Sequence, residues 1–173
     1  MQPLEVWILL LEFFSYKQNF YRLYRQMFSP LLETYHLTQM EMDILLFLTN
    51  NPEYDTAADI VNVRHLAKSH VSSSVEKLVQ KGSLARFFHP GDRKRIHLKC
   101  LPAAQEVIQA GKQTQHLFFT LLFQNISRQD IQTLFDTLRT LNQNVNDAYR
   151  QLGHGQMPTP SSIEPDQVSL WPL

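Results

Sequence analysis

Residues 66–81 place hydroxyl and amine side chains along one face of a predicted helix. The other face is apolar at helical spacing, which predicts that it is buried. Its residues are Leu66, Val71, Val75, Leu78 and Val79. The polar face carries Lys68, Ser69, Ser72, Ser73 and Lys77, with Glu76 as an acid nearby. These groups can donate hydrogen bonds to phosphates and base edges, and a helix of this kind fits the major groove of DNA.

A hairpin with a basic tip is predicted directly after this helix. Gly82 ends the helix, because glycine readily adopts the positive φ of a helix C-terminus. A His-Pro-Gly-Asp turn at residues 89–92 then separates two short strands. The tip carries Arg93, Lys94 and Arg95, and a basic hairpin tip can reach the adjacent DNA backbone or the minor groove.

The second strand of this hairpin has an alternating pattern. Ile96, Leu98 and Cys100 alternate with His97 and Lys99, which predicts that the first three face the core. Cys100 then lies on the apolar side of the strand. This position favours an inert core cysteine over a redox-sensing thiol.

Charge is strongly segregated, although the chain of 173 residues has a formal net charge of zero. Residues 60–99 contain nine Lys and Arg against two acids, whereas the rest of the chain contains seven against fourteen. Four of the seven histidines lie in the same window and add positive charge at lower pH. The distribution predicts an anionic partner for this part of the chain.

These residues resemble the winged helix-turn-helix of the MarR (multiple antibiotic resistance regulator) family of bacterial transcription factors. Asp59-Ile60-Val61 is similar to the first helix of the motif, residues 68–81 to its recognition helix, and residues 81–86 to the start of its wing. Gly91-Asp92-Arg93-Lys94 resembles the family's wing-tip Asp-x-Arg signature. The resemblance extends over about residues 10–150.

The chain departs from the family pattern at several positions. Lys94 stands where the family usually has the wing-tip Arg, and Ala67 replaces a common helix-capping Ser. Leu101 and Ala104 replace the usual Thr and Gly after the wing. Since lysine lacks the guanidinium fork, insertion of Lys94 into the minor groove should be weaker than insertion of an arginine.

The resemblance implies a mainly α fold with a small β-hairpin wing. Residues 1–36 and 102–152 would form N- and C-terminal dimerisation helices, on either side of a DNA-binding lobe at residues 37–101. Residues 153–173 contain four prolines and two glycines without periodicity, which predicts a disordered tail.

The flanking helices support a homodimer. Residues 4–28 read as one helix with eight aromatic residues, more apolar surface than one small domain can cover. Ser29-Pro30 is predicted to break this helix before a short one at residues 31–35. After Ser127, apolar residues recur at three- and four-residue spacing as far as about Leu152, typical of an amphipathic helix.

The implied function is sequence-specific regulation of transcription, with a homodimeric repressor on a pseudo-palindromic operator of double-stranded DNA, relieved by a small-molecule effector. Asp92 would orient a neighbouring basic side chain while Lys94 or Arg95 enters the minor groove. His70 either contacts a base or packs at a helix–helix junction. The predicted DNA-binding residues are Lys68, Ser69, His70, Ser72, Ser73, Lys77, Arg93, Lys94 and Arg95. The family's usual ligand site implies Phe20, Tyr24 and His36 as effector contacts.

Other classes of function fit less well. An acidic recognition face would favour a winged-helix protein-interaction module without DNA binding, but this face is basic. No nucleophile elbow, phosphate-binding glycine loop or paired metal-ligand spacing indicates an enzyme, a cofactor or a metal site. Glu33, His36, Glu41 and His116 could converge between helices, but solvated or packed histidines are favoured. The single cysteine and the lack of a membrane-spanning apolar run predict a cytoplasmic protein.

Overall fold

The computed structural model describes residues 3–153, with the side chains of residues 11–92 and 94–153. The elements in chain order are α1 (Pro3–Thr34), α2 (Gln39–Asn50), α3 (Ala57–Arg64), α4 (Lys68–Gln80), β1 (Leu84–His89), β2 (Asp92–Cys100), a 3-10 turn (Pro102–Ala104), α5 (Gln105–Leu122) and α6 (Arg128–Gly153). The predicted fold, mainly α with one antiparallel hairpin, is confirmed. The predicted disordered tail lies outside the described residues from position 154 onward. No helix of the described part is both long and apolar enough to cross a membrane.

The chain forms two compact units. Residues 21–121 make up one of them, in which α2, α3, α4 and the hairpin surround a common apolar core. The largest side chains of this core with almost no exposure are Phe28, Met42, Ile44, Leu45, Leu46, Ile60, Leu78, Leu84 and Ile108. The other unit comprises the described residues before Tyr21 and after Leu121, and contains α6.

Helices α2 and α3 both begin with a capping box. Thr38 Oγ1 accepts a hydrogen bond from Glu41 N (3.2 Å), and Glu41 Oε2 accepts one from Thr38 N (2.8 Å). Thr56 and Asp59 make the same reciprocal pair at the start of α3, at 3.1 and 3.0 Å. The capping boxes fix where α2 and α3 begin.

The N-cap of α4 has no such support. Ala67 occupies the position with extended backbone (φ −65°, ψ 127°) and makes no side-chain hydrogen bond to the helix. Serine at an N-cap can accept a hydrogen bond from the first turn of the helix and typically contributes about 1 kcal/mol relative to alanine.

We therefore expect Ala67→Ser to raise the free energy of unfolding by about 1 kcal/mol in urea titrations. Ala110→Ser, inside α5, is the matched control and should lower it by about 0.5 kcal/mol, because serine is the poorer helix former. Equal effects of the two substitutions would contradict a capping role for position 67.

The predicted break in the first helix is wrong. α1 runs without interruption from Pro3 to Thr34 with Pro30 inside it. A proline in a helix interior costs about 3 kcal/mol, whereas each fully buried large apolar side chain contributes about 1.5–3 kcal/mol. Phe28 is fully buried just before Pro30, and Leu31 and Leu32 pack against the core just after it. Core packing on both sides of the proline therefore keeps the helix continuous.

Gly111 lies inside α5, which continues through it without a break. A Cβ atom at this position would lie 2.9 Å from Met42 Sδ and 3.1 Å from Leu46 Cδ2. The missing side chain lets α5 approach α2 closely.

The hairpin pairs regularly near the core and irregularly at its tip. Arg86 pairs with Leu98 and Phe87 with His97, but the next pair joins His89 to Asp92. Only Phe88 of β1 therefore lies opposite residues 93–96 of β2, and this insertion is a β-bulge. The basic residues of the tip all fall within it.

The bulge also explains why the prediction for Ile96 and His97 is wrong. Ile96 is 49% exposed and His97 only 5%, the reverse of the simple alternation. Leu98 N donates to Asp55 O at 2.7 Å, and Thr56 forms a β-bridge with His97. The segment before α3 thus covers His97, whereas Ile96 lies in the bulge next to the tip.

Candidate nucleic-acid interface

Helix α4, the predicted recognition helix, packs against the core through its apolar face. Val71, Val75 and Leu78 are all at least 97% buried, in a core that α4 shares with α2 and α3. The six residues predicted to bind DNA from this helix are all exposed: Lys68, Ser69, His70, Ser72, Ser73 and Lys77. His70 is therefore not packed at a helix junction, and its contact with a base stays a prediction.

The acid beside this polar face is neutralised. Arg86 Nη2 of β1 donates to Glu76 Oε2 at 2.7 Å, and this hydrogen bond lowers the pKa of the Glu76 carboxyl. Glu76 thus stays ionised but carries its own cation, which also links α4 to β1. The helix does not present an unpaired negative charge beside its lysines.

Several Lys and Arg side chains of residues 60–99 form ion pairs with acidic side chains of the protein. Lys81 Nζ donates to Glu41 Oε2 (3.0 Å) and to His36 O (2.8 Å), and the side chain of Glu41 is only 1% exposed. Arg64 approaches Asp43 at 3.7 Å. Among the described side chains, in contrast, no acid forms an ion pair with Lys68, Lys77, Lys94 or Lys99.

The wing tip is organised by Asp92. Its Oδ1 accepts hydrogen bonds from the backbone N of Lys94 (3.1 Å) and of Arg95 (3.2 Å). Its Oδ2 accepts one from Arg95 Nε at 2.7 Å. This side-chain hydrogen bond is the largest of the effects that lower the pKa of Asp92, so the carboxylate remains ionised at neutral pH. The basic side chain that Asp92 orients is therefore Arg95, whereas Lys94 is an exposed amine. Which of the two enters the minor groove stays a prediction.

The predicted effector contacts lie in different surroundings. Tyr24 belongs to the core, with its ring 4.5 Å from that of Phe28, and burial raises its pKa to about 12. His36 is exposed and lines a cavity of about 330 Å³ with Tyr35, Leu37, Lys81, Ser83, Ala103 and Val107. The ring centroid of Phe20 lies 5.9 Å from that of Tyr16. Binding of an effector by these residues stays a prediction.

Cys100 is half-buried at the end of β2. Burial raises the pKa of its thiol to about 11, so the reactive thiolate is scarce at neutral pH. This environment is that of an inert cysteine.

The structure forms a cluster that the sequence did not indicate. Asp55, His89 and His97 come together beside the hairpin, and none of the four residues considered for zinc is part of this cluster. His89 and His97 meet only because the strands pair around the bulge, and Asp55 is added by its backbone contact with β2. No local spacing could have revealed this group.

Comparison with known proteins supports the resemblance. Residues 36–95 match a family model described as MarR family. No curated protein matches the chain significantly. The matched segment contains α2, α3, α4 and most of the hairpin, so the predicted resemblance to the MarR family is confirmed there.

Solved structures share the fold at low sequence identity. A MarR family transcriptional regulator from Listeria monocytogenes, complexed with a 26mer DNA, is 13% identical with a TM-score of 0.67, covering 87% of this chain and 97% of its own. A MarR family protein from Bacillus stearothermophilus is 20% identical with a TM-score of 0.62, at 84% and 99% coverage. The S. aureus MepR–DNA complex is 14% identical with a TM-score of 0.64, at 76% and 94% coverage. These likenesses establish the winged-helix fold.

Proposed function

We propose that this protein, whose residues 36–95 match the MarR family, is a sequence-specific DNA-binding regulator of transcription. The observation that carries the proposal is the surface formed by the exposed face of α4 and the tip of the hairpin. It combines hydroxyls and unpaired amines, and Arg86 neutralises the acid beside it. Such a surface suits a polyanion that also offers hydrogen-bonding base edges.

The two parts of this surface have different tasks. In the proposal, α4 enters the major groove, where Ser69, Ser72 and Ser73 reach base edges while Lys68 and Lys77 contact phosphates. The hairpin tip follows the neighbouring backbone or minor groove. The winged-helix structures from Listeria monocytogenes and S. aureus in complex with DNA support this arrangement.

The protein is proposed to act as a homodimer, through helices at residues 1–36 and 102–152. Two recognition helices about one DNA turn apart would then read a pseudo-palindromic operator. The apolar residues left exposed on α1 and α6 support this assembly, because monomeric proteins rarely expose large contiguous apolar patches. Repression, with relief by a small ligand, is the mode of action proposed for the dimer.

Substitutions on α4 test the proposal. On duplexes selected by the purified protein, Ser72→Ala or Ser73→Ala should relax preference at particular base pairs, with a cost of about 1–3 kcal/mol per lost base contact. Ser74→Ala is the matched control, since this serine is less exposed on the same helix. Fluorescence anisotropy on cognate and mismatched duplexes measures the effect. If the three variants behaved alike on every duplex, α4 would not be the reading element.

A further inference from the structure

Three side chains with metal-binding chemistry meet beside the hairpin. Asp55 lies just before the N-cap of α3, His89 ends β1 and His97 lies in β2. Each offers a ligand atom, and these atoms lie within 4.8 Å of one another. The backbone fixes the arrangement, because Leu98 N donates to Asp55 O and β2 pairs with β1 on its other side.

The distances are close to those of a small cation site. The two oxygens of Asp55 face one imidazole each, Oδ1 at 2.6 Å from His97 Nδ1 and Oδ2 at 3.7 Å from His89 Nε2. The two imidazole rings have their centroids 4.3 Å apart. In a tetrahedral site with bonds of about 2.0–2.1 Å, ligand atoms lie about 3.3 Å apart. The two distances from Asp55 differ from that separation by less than 1 Å, and all three ligand atoms lie within 4.8 Å of one another.

The buried histidine lacks a hydrogen-bond partner on one side. The side chain of His97 is only 6% exposed, and its Nε2 is buried without a partner among the described residues. A buried polar atom left unpaired costs about 1–3 kcal/mol. The two ring nitrogens point in different directions, and because Nδ1 already faces Asp55, Nδ1 is the nitrogen that a cation shared with Asp55 would engage.

We propose that Asp55, His89 and His97 form a site for a divalent transition-metal cation of the Zn²⁺ class. Two imidazoles and one carboxylate are ligands that favour such ions over Mg²⁺ or Ca²⁺, which prefer oxygen. His89 is 53% exposed, which opens the cluster to solvent and leaves a fourth position for water. A bound ion would join the segment before α3 to both strands of the wing.

The site can be tested with Co²⁺ and Zn²⁺ on the full-length protein without an affinity tag. We expect one Co²⁺ per chain, seen as the visible d–d absorption of a tetrahedral site, and displaced by Zn²⁺. Zn²⁺ in excess should also raise the melting temperature, because it binds the folded state alone. His89→Ala should weaken Co²⁺ binding by more than about 100-fold, since removing a second-shell partner alone typically costs 10–100-fold.

His116→Ala on α5 is the matched control, because this histidine is exposed and outside the cluster. It should leave stoichiometry and affinity unchanged. If His97→Gln fails to fold because the residue is buried, His89→Ala and Asp55→Asn still decide the question. The proposal is overturned if the wild-type protein binds no Co²⁺, or if His89→Ala and Asp55→Asn bind it as the wild type does.

Discussion

Lysine at Leu138 and Leu141 of α6 will convert the proposed homodimer into a folded monomer. The described helix contains no buried residue, and apolar side chains spaced by three and four residues line one of its faces. Those at least 44% exposed are Leu134, Phe135, Leu138, Leu141, Val145, Tyr149 and Leu152. A stripe of this kind requires a partner surface.

The size of the effect follows from burial in the dimer. Each leucine contributes about 1.5–3 kcal/mol when covered, and a dimer contains every substitution twice. The double substitution should therefore weaken dimerisation by at least about 4 kcal/mol, or a thousandfold. Because both residues are exposed in the single chain, the monomer should keep its helical circular dichroism. Sedimentation velocity measures the change.

Thr140→Lys with Gln143→Lys is the matched control on the opposite face of α6. Both side chains are exposed, and the variant adds the same charge. It should sediment as the wild type does. If both double variants remained dimers, or both became monomers, the apolar face of α6 would not be the dimer contact.

Alanine at Arg93, Lys94 and Arg95 will weaken binding to all DNA sequences alike, by on the order of 100-fold at physiological salt. In the proposal the wing acts mainly through charge, so each lost phosphate contact should make the salt slope shallower by about 0.9, counted twice in a dimer. Anisotropy titrations over a salt series measure this slope. Alanine at Arg128, Arg139 and Arg150 removes the same charge from α6 and should leave the slope unchanged. An unchanged slope in the wing variant would favour the protein-interaction alternative.

Within the wing, the contact between Asp92 and Arg95 makes a sharper prediction. Asp92→Ala removes a negative charge, so charge alone predicts tighter DNA binding. The structure predicts weaker binding, because Asp92 holds both the bulge and Arg95 Nε. Lys94→Arg should then have little effect, since Arg95 already supplies an oriented guanidinium. Tighter binding by Asp92→Ala and by Lys94→Arg would identify Lys94 as the inserting side chain.

The sequence predicted features whose physical cause is local. Thr38 and Glu41 have the three-residue spacing of a capping box, which is present at the start of α2, and Thr56 is the N-cap of α3. The apolar spacing of residues 71–78 likewise identified the buried face of α4. Such interactions depend on a single turn of helix, which is why one sequence was sufficient to find them.

Features that depend on distant packing were missed. The core residues on either side of Pro30 keep α1 continuous, although the proline alone predicts a break. The burial of His97 depends on a segment about 40 residues earlier, and the pairing of Asp92 with Arg95 depends on a bulge. The cluster of Asp55, His89 and His97 requires both the bulge and the contact of the earlier segment with β2, so no spacing in the sequence could indicate it.

The most direct test is a titration of the full-length protein with a duplex selected from random DNA. We expect saturation at two chains per duplex. The logarithm of the binding constant should fall with the logarithm of salt concentration with a slope steeper than about −5, from at least six phosphate contacts. The Arg93, Lys94 and Arg95 alanine variant should lose most of this slope. Failure to enrich any sequence, together with no saturable binding at about 50 mM salt, where phosphate contacts are strong, would contradict the proposal that α4 and the wing bind DNA.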